Sequence, residues 1–285
     1  MRRIAIINQK GGVGKTPTSV NLGAALARAG KKVCILDLDP QAHATTHLGI
    51  EPVGQTPSMY EVLIDNMPLA KVRQQVEDNL WIVGSDINLA AAEVELAGVV
   101  GREVILRDLL QCDDQTFDFV LMDCAPSLGV LTLNALCAAD EVFIPLQPHF
   151  LALHGFGKLL ETTALVSKRI NQQLRVTGVV LCMCEANTRL AQEVERDLGE
   201  FLSNSRNSNV PWNQARVFNA RIRRNIKLAE APSFGQSIFV YAPSCHGAED
   251  YLALALEVMG EAMPKVVAAK VKVAEEVTAS ASRAP

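Results

Sequence analysis

Lys10-Gly11-Gly12-Val13-Gly14-Lys15-Thr16 stands directly after the apolar run Arg3-Ile4-Ala5-Ile6-Ile7-Asn8 and directly before a helical pattern. A glycine-rich loop ending in lysine and a hydroxyl, placed between a strand and a helix, is a phosphate-binding loop. Its glycines let consecutive backbone N–H groups turn inward on phosphates, its lysine meets the β and γ charges, and its hydroxyl reaches Mg²⁺. Gly14, Lys15 and Thr16 fill those last positions, whereas Gln9 replaces the usual first glycine and an extra lysine, Lys10, opens the loop. The ligand implied is a nucleoside triphosphate with Mg²⁺.

The pattern around the loop extends it into an α/β fold. Strand-like apolar runs recur at Ile4 to Ile7, Val33 to Leu36, Leu80 to Val83, Phe119 to Met122, Val142 to Pro145 and Val176 to Met183, with helix-length segments between most of them. Alternating strand and helix predicts a mostly parallel twisted sheet with helices on both faces. The first unit is the clearest: strand, loop, then a helix over Pro17 to Ala29 closed by Gly30. In such sheets ligands sit beyond the carboxyl ends of the strands. Three acidic residues occupy such ends: Asp37 and Asp39 in Asp37-Leu38-Asp39-Pro40-Gln41, and Asp123 after Phe119-Val120-Leu121-Met122. All three are expected near the nucleotide. Asp123 has the setting of a Walker B carboxylate steering Mg²⁺. Asp39, held outside the strand by the turn at Pro40, is placed to orient or deprotonate an attacking water.

Composition narrows the class. The chain has 285 residues, 49% hydrophobic and 20% charged, which is ordinary globular usage. A single P-loop domain is expected over 1–263, and a disordered or frayed tail over 264–285, which carries no leucine or aromatic residue. No apolar run approaches the ~18 residues that cross a bilayer, and no signal peptide is expected, so the expected compartment is the cytoplasm. Seven cysteines, mostly in apolar segments (Cys34, Cys124, Cys137, Cys182), predict buried thiols rather than a disulfide framework. Cys182 and Cys184 are expected on one face of a strand, without the second pair that a zinc site needs. His43 and His47 have helical metal spacing but no third ligand, and His154 reads as a packed or surface histidine.

The net charge of −4 excludes a surface that is basic throughout. One basic cluster stands out: Arg216, Arg221, Arg223, Arg224 and Lys227, with no acidic residue between Gln214 and Lys227. By itself it reads equally as a solvated basic loop or as a nucleic-acid contact.

Taken together, these segments resemble the ParA/Soj ATPases of chromosome and plasmid partition, within the deviant-Walker-A class that includes MinD. The resemblance covers nearly the whole chain up to about Gly260. It rests on the loop at 10–16, on Asp37-Leu38-Asp39-Pro40-Gln41, on Asp118-Phe119-Val120-Leu121-Met122-Asp123-Cys124-Ala125-Pro126-Ser127, and on Leu228-Ala229-Glu230-Ala231-Pro232-Ser233-Phe234-Gly235. It implies ATP and Mg²⁺ as cofactors, with Lys10 through Pro17 (Gly11, Gly12, Val13, Gly14, Lys15, Thr16), Asp123 and Asn225 around the nucleotide. Thr16, Asp39 and Asp123 would serve the metal; Lys10, Lys15 and Asp39 would serve the chemistry. Lys10 would be the signature lysine that reaches a partner's nucleotide across a homodimer, acting as an arginine finger does. The ATP-bound dimer would bind DNA non-specifically through Arg189, Arg216, Arg221, Arg223, Arg224 and Lys227, and a centromere-binding ParB-like activator would trigger release. The protein would then be associated with the nucleoid, with no membrane partner.

Two departures from the family pattern stand out. Arg223 takes the place of a proline that commonly precedes the Arg224-Asn225 pair. Pro17 stands where a second threonine is usual, and its missing N–H removes a donor that commonly points at the α-phosphate. Losing one charge-assisted hydrogen bond costs ~1.5–3 kcal/mol, roughly ten- to a hundredfold in affinity. Proline also biases Thr16 away from helical geometry. Three other functions remain open: a nucleotide-binding scaffold with little turnover, a MinD-like positioning ATPase, and an iron–sulfur carrier for which Cys124 is the suggestive residue.

Overall fold

A computed structural model describes residues 1–52, 56–149, 152–185 and 189–261, side chains at 152–154 and 189–191 excepted. Eight strands form one sheet: β1 (Arg2–Ile6), β2 (Val33–Leu38), β3 (Gln74–Glu77), β4 (Leu80–Val83), β5 (Phe119–Cys124), β6 (Glu141–Leu146), β7 (Arg175–Cys184) and β8 (Arg216–Arg223). Their order is β3-β4-β2-β5-β1-β6-β7-β8, and only β3 runs antiparallel to its neighbour. The α/β architecture is therefore as the alternation predicts. Every residue of β2 and β5 is buried, as central parallel strands covered on both faces must be.

Alternation along β1 sorts its side chains to two cores. Ile4 and Ile6 join a cluster with Leu22, Leu26, Ile35, Leu121 and Leu254, under the helices Lys15–Arg28 and His246–Met259. Ala5 and Ile7 face the opposite cluster with Leu36, Val120, Leu136, Leu159 and Leu198, under Val130–Ala138, Ala152–Arg169 and Arg189–Asn204. The helix Lys15–Arg28 carries the chain from β1 over to β2, leaving a gap that β5 fills. All six expected strands are present, within two residues at either end.

β3 and β8 were not foreseen, and both are edge strands. β3 is four residues long, polar and half-exposed, so it lacks the apolar run that marks a buried strand. β8 alternates in burial, with Phe218, Ala220 and Ile222 inward, but its arginines disguise it as a loop. A register shift between β7 and β8 takes Asn219 and Ala220 out of the ladder. The Glu257 carboxylate accepts both of their N–H groups, at 2.8 and 3.1 Å. Gly178 makes room for the Phe218 ring, since a Cβ there would lie 2.0 Å from it; the ring sits edge-on to Phe143 at 5.0 Å.

One expectation about cysteines is corrected. Met183 is left-handed at φ 53°, and pairing slips between Cys182 and Cys184. Alternation is broken there, so Cys182 enters one core while Cys184 packs against the other.

Candidate functional site

The loop at 10–16 closes over the carboxyl end of β1. Gly12 and Gly14 are left-handed, at φ 72° and 97°, a conformation a side chain would strain. Gly14 also caps the helix Lys15–Arg28, its carbonyl accepting the Thr18 N–H at 3.0 Å. A Cβ on it would press to 3.3 Å from Cys182. This is the packing use of that buried thiol.

The two lysines of the loop have opposite fates. Lys15 is buried, and its Nζ donates to the Lys10 carbonyl at 3.2 Å. Burial lowers its pKa, while Asp123 and Asp39 pull it back up. Lys10 is exposed. Its backbone N–H donates to Asn8 Oδ1 at 3.0 Å, and its Nζ donates to His149 Nε2.

Asp123 ends β5 at the foot of the loop, fully buried. Its Oδ2 accepts from the Thr16 hydroxyl and its Oδ1 from the Ser19 hydroxyl, each at 2.7 Å. Burial raises its pKa, against the pull of both hydroxyls and Lys15. Ser19 is a site residue the sequence reading missed. Its signal was present: three residues beyond Thr16, one turn on, it lies on the same helix face. Thr16 is helical despite the proline after it. The expected bias is overridden because its hydroxyl is anchored on Asp123. A hydroxyl and a carboxylate, both hard oxygen donors, suit Mg²⁺.

Asp37 and Asp39 diverge. Asp37 lies in register with Asp123 but turns to the helix His43–His47, accepting from Thr45 N at 2.9 Å and Thr45 Oγ1 at 2.7 Å. Burial, then the Asp123 charge, raises its pKa. Its carboxylate thus braces the turn to that helix, beside Asp123. Asp39 Oδ1 accepts the Gln41 N–H at 2.9 Å, and Asp39 O accepts the Ala42 N–H at 2.9 Å, where Ala42 is left-handed at φ 51°. An aspartate-centred turn, and not Pro40 alone, holds the carboxylate beside Lys15.

His47, in the same helix, is 1% exposed, and its Nε2 has no partner among the described residues. Burial pushes its pKa from 6.5 down to about 4. The folded state thus resists protonation, so this contribution is complete above about pH 6.5 and is lost as pH falls towards 4. Wild type should lose about 2 kcal/mol relative to His47→Gln between about pH 7 and pH 5. Chemical denaturation of both proteins across that range checks it; a pH-independent difference refutes it.

The basic cluster is not a bare positive patch. Arg216 pairs with Glu257 at 3.8 Å, Arg223 with Asp250 at 2.5 Å and Glu249 at 3.7 Å, Arg224 with Glu185 at 3.3 Å, and Lys227 with Glu230 at 2.8 Å. Arg221 pairs with Glu195. All five cations face carboxylates that come from other segments of the chain or, for Lys227, from the next helical turn. Asn225 caps the helix Ile226–Glu230, its Oδ1 accepting Lys227 N–H at 2.8 Å. Arg189 begins the helix Arg189–Asn204, and its side chain, like that of His154, lies outside the described residues. The tail at 264–285 lies outside them too. Cys124 is buried, which pushes its thiol well above the ordinary range. Among the described residues no group of His, Cys, Asp or Glu is gathered as a metal cluster, and no helix is long and apolar enough to cross a membrane.

The sequence profile of a family described as an AAA domain matches residues 1–176. The sporulation initiation inhibitor protein Soj of Bacillus subtilis is 43% identical, covering 90% of this chain and 97% of its own. The chromosome partitioning protein ParA of Caulobacter vibrioides is 39% identical over 91% and 94%. The chain belongs to the ParA/Soj family of partition ATPases. Among solved structures, cobyrinic acid a,c-diamide synthase from Mycobacterium smegmatis, with an ATP analogue and magnesium bound, has a TM-score of 0.71 at 33% identity, covering 86% and 96%. MinD from Pyrococcus horikoshii, at 22% identity and TM-score 0.68 over 90% and 95%, shares the fold. As a ParA/Soj ATPase, the chain hydrolyses ATP within the ParA/MinD class of P-loop folds.

Proposed function

We propose that this protein is an ATP-dependent dimerising switch that binds DNA without sequence preference and hydrolyses ATP to drive chromosome or plasmid partition. The observation that carries the reading is the division between Lys15, buried in the loop, and Lys10, exposed at its rim. Lys15 would leave the Lys10 carbonyl to meet the β and γ phosphates of its own nucleotide. Lys10, exposed at the rim, would serve a second copy, stabilising charge on the transferring phosphoryl oxygens in trans. Thr16 and Asp123 would hold Mg²⁺, which neutralises phosphate charge when bound. Asp39 would orient or deprotonate the attacking water, and Asn225, with its Oδ1 spent on capping, keeps its amide N–H for the base. A ParB-like activator bound to a centromere-like site would trigger turnover on the nucleoid.

DNA contact through Arg216, Arg221, Arg223, Arg224 and Lys227, with Arg189 as an addition, must exchange carboxylate partners for phosphates. Salt weakens the exposed pairs as well as the phosphate contacts. Glu185→Gln with Glu195→Gln, freeing Arg224 and Arg221, should therefore tighten ATP-dependent DNA binding by roughly three- to tenfold at moderate salt. A salt series of DNA binding, with Lys10→Ala and Asp39→Ala as controls, tests the reading. No ATP-dependent binding at any salt, or no gain in the double variant, counts against this surface.

The scaffold reading has one observation in its favour, Pro17, and predicts no stimulation of hydrolysis by DNA and activator.

A further inference from the structure

We propose that His149 is a positioning residue that restrains Lys10 within its own protomer, so that each reach across a dimer interface must first break the Lys10–His149 contact. The inference rests on the reading of Lys10 as a group acting in trans.

Three contacts tie Lys10 down. Its N–H is held by Asn8 Oδ1 at 3.0 Å, its carbonyl accepts Lys15 Nζ at 3.2 Å, and its own Nζ donates to His149 Nε2. Asn8 also donates its side-chain amide to the Pro145 carbonyl at 2.8 Å, joining the end of β1 to the end of β6. His149 follows β6 by three residues, and its N–H donates back to the Gln147 carbonyl at 2.8 Å, which turns the segment towards the loop. The loop and the segment after β6 are thus joined through Asn8, which brings the imidazole within reach of Lys10.

The chemistry of the hold suits a release. The ammonium of Lys10 has only protons to offer, and among the described residues it meets no carboxylate. A ring nitrogen that accepts a hydrogen bond from it does so without the Coulomb attraction of an ion pair. Such a contact orients an exposed lysine yet breaks cheaply. The other two tethers belong to the loop itself: Lys15 gives up the Lys10 carbonyl when it turns to phosphate. Among the described residues the His149 contact is the one that restrains the ammonium directly, and a two-fold dimer breaks two of them.

His149→Ala should therefore tighten ATP-dependent dimerisation by roughly five- to tenfold, because two exposed charge-assisted contacts no longer compete with assembly. Turnover at low protein concentration should rise with it. Turnover of the saturated dimer should stay level, since Lys10 has left the imidazole there. His149→Gln keeps an acceptor and should stay near wild type. Lys10→Ala and the Lys10→Ala/His149→Ala double variant close a cycle, and the effect of His149→Ala should vanish without Lys10. Sedimentation of each protein with ATP across a concentration series, alongside hydrolysis rates, reads all of these. If Lys10→Ala dimerises and hydrolyses like wild type, the trans reading fails and this inference with it. If Lys10→Ala is impaired but His149→Ala dimerises no better than wild type, or its effect persists without Lys10, the trans reading survives and the restraint is refuted.

Discussion

Pro17→Thr should bind ATP roughly ten- to a hundredfold more tightly than the natural chain, the effect of regaining one charge-assisted hydrogen bond. Pro17 is the third residue of the helix Lys15–Arg28. The first intrahelical bond of that helix is donated by Thr18 to the Gly14 carbonyl. An amide at 17 would find no partner inside the helix, so proline costs the fold nothing. Its cost falls on a ligand at the loop. The Pro17 carbonyl accepts Asn21 Nδ2 at 2.9 Å, and Asn21 Oδ1 accepts the Ile238 N–H at 2.8 Å; threonine would leave both bonds intact. Thr16 already has helical geometry and a fixed hydroxyl, so the gain would come from the restored amide and not from a repaired metal site. Calorimetric titration of both proteins with ATP checks the prediction, with nucleotide-free melting as the control. Equal affinities would refute it, and a change in melting without ATP would move the explanation to the helix.

The parts of this molecule that depend on neighbours in sequence were legible in the sequence. β1, the loop and its helix are consecutive, and Asp123 is announced by the four apolar residues before it. What stayed hidden depends on partners far along the chain. The cluster from Arg216 to Lys227 contains no acidic residue, yet Glu185, Glu195, Glu249, Asp250 and Glu257 converge on it through β7, β8 and two helices. Lys10 and His149 are 139 residues apart. Asp37 and Asp39 look alike in a five-residue motif, yet among the described residues Thr45 gives both its N–H and its hydroxyl to Asp37, while Asp39 accepts from Gln41. Local pattern fixes backbone direction and burial, whereas polar pairing is decided by which strands come to lie side by side.

That difference between the two aspartates gives the second large effect. Asp39→Ala should lower turnover by roughly 10²–10⁴-fold, the usual worth of a positioned base, while ATP still binds. The proposed phosphate contacts lie in the loop and Lys15, and Asp39 would contribute none of the backbone N–H groups that cradle an anion. Removing its carboxylate forfeits the bond from Gln41 N–H, about 1 kcal/mol at a partly buried turn, and relieves Lys15 of one of two nearby negative charges. Asp39→Asn separates charge from shape, since its amide oxygen can still accept from Gln41. If deprotonation matters, Asn is as slow as Ala; if orientation alone matters, Asn keeps much of the rate. Asp37→Ala is the contrasting variant. It strips Thr45 of the acceptor for both its N–H and its hydroxyl, so it should lower stability rather than chemistry selectively. Single-turnover hydrolysis with ATP prebound, compared with melting of the same proteins, distinguishes the two. An Asp39→Ala protein that hydrolyses at the natural rate would remove Asp39 from the mechanism and leave the water to be activated by the phosphate itself.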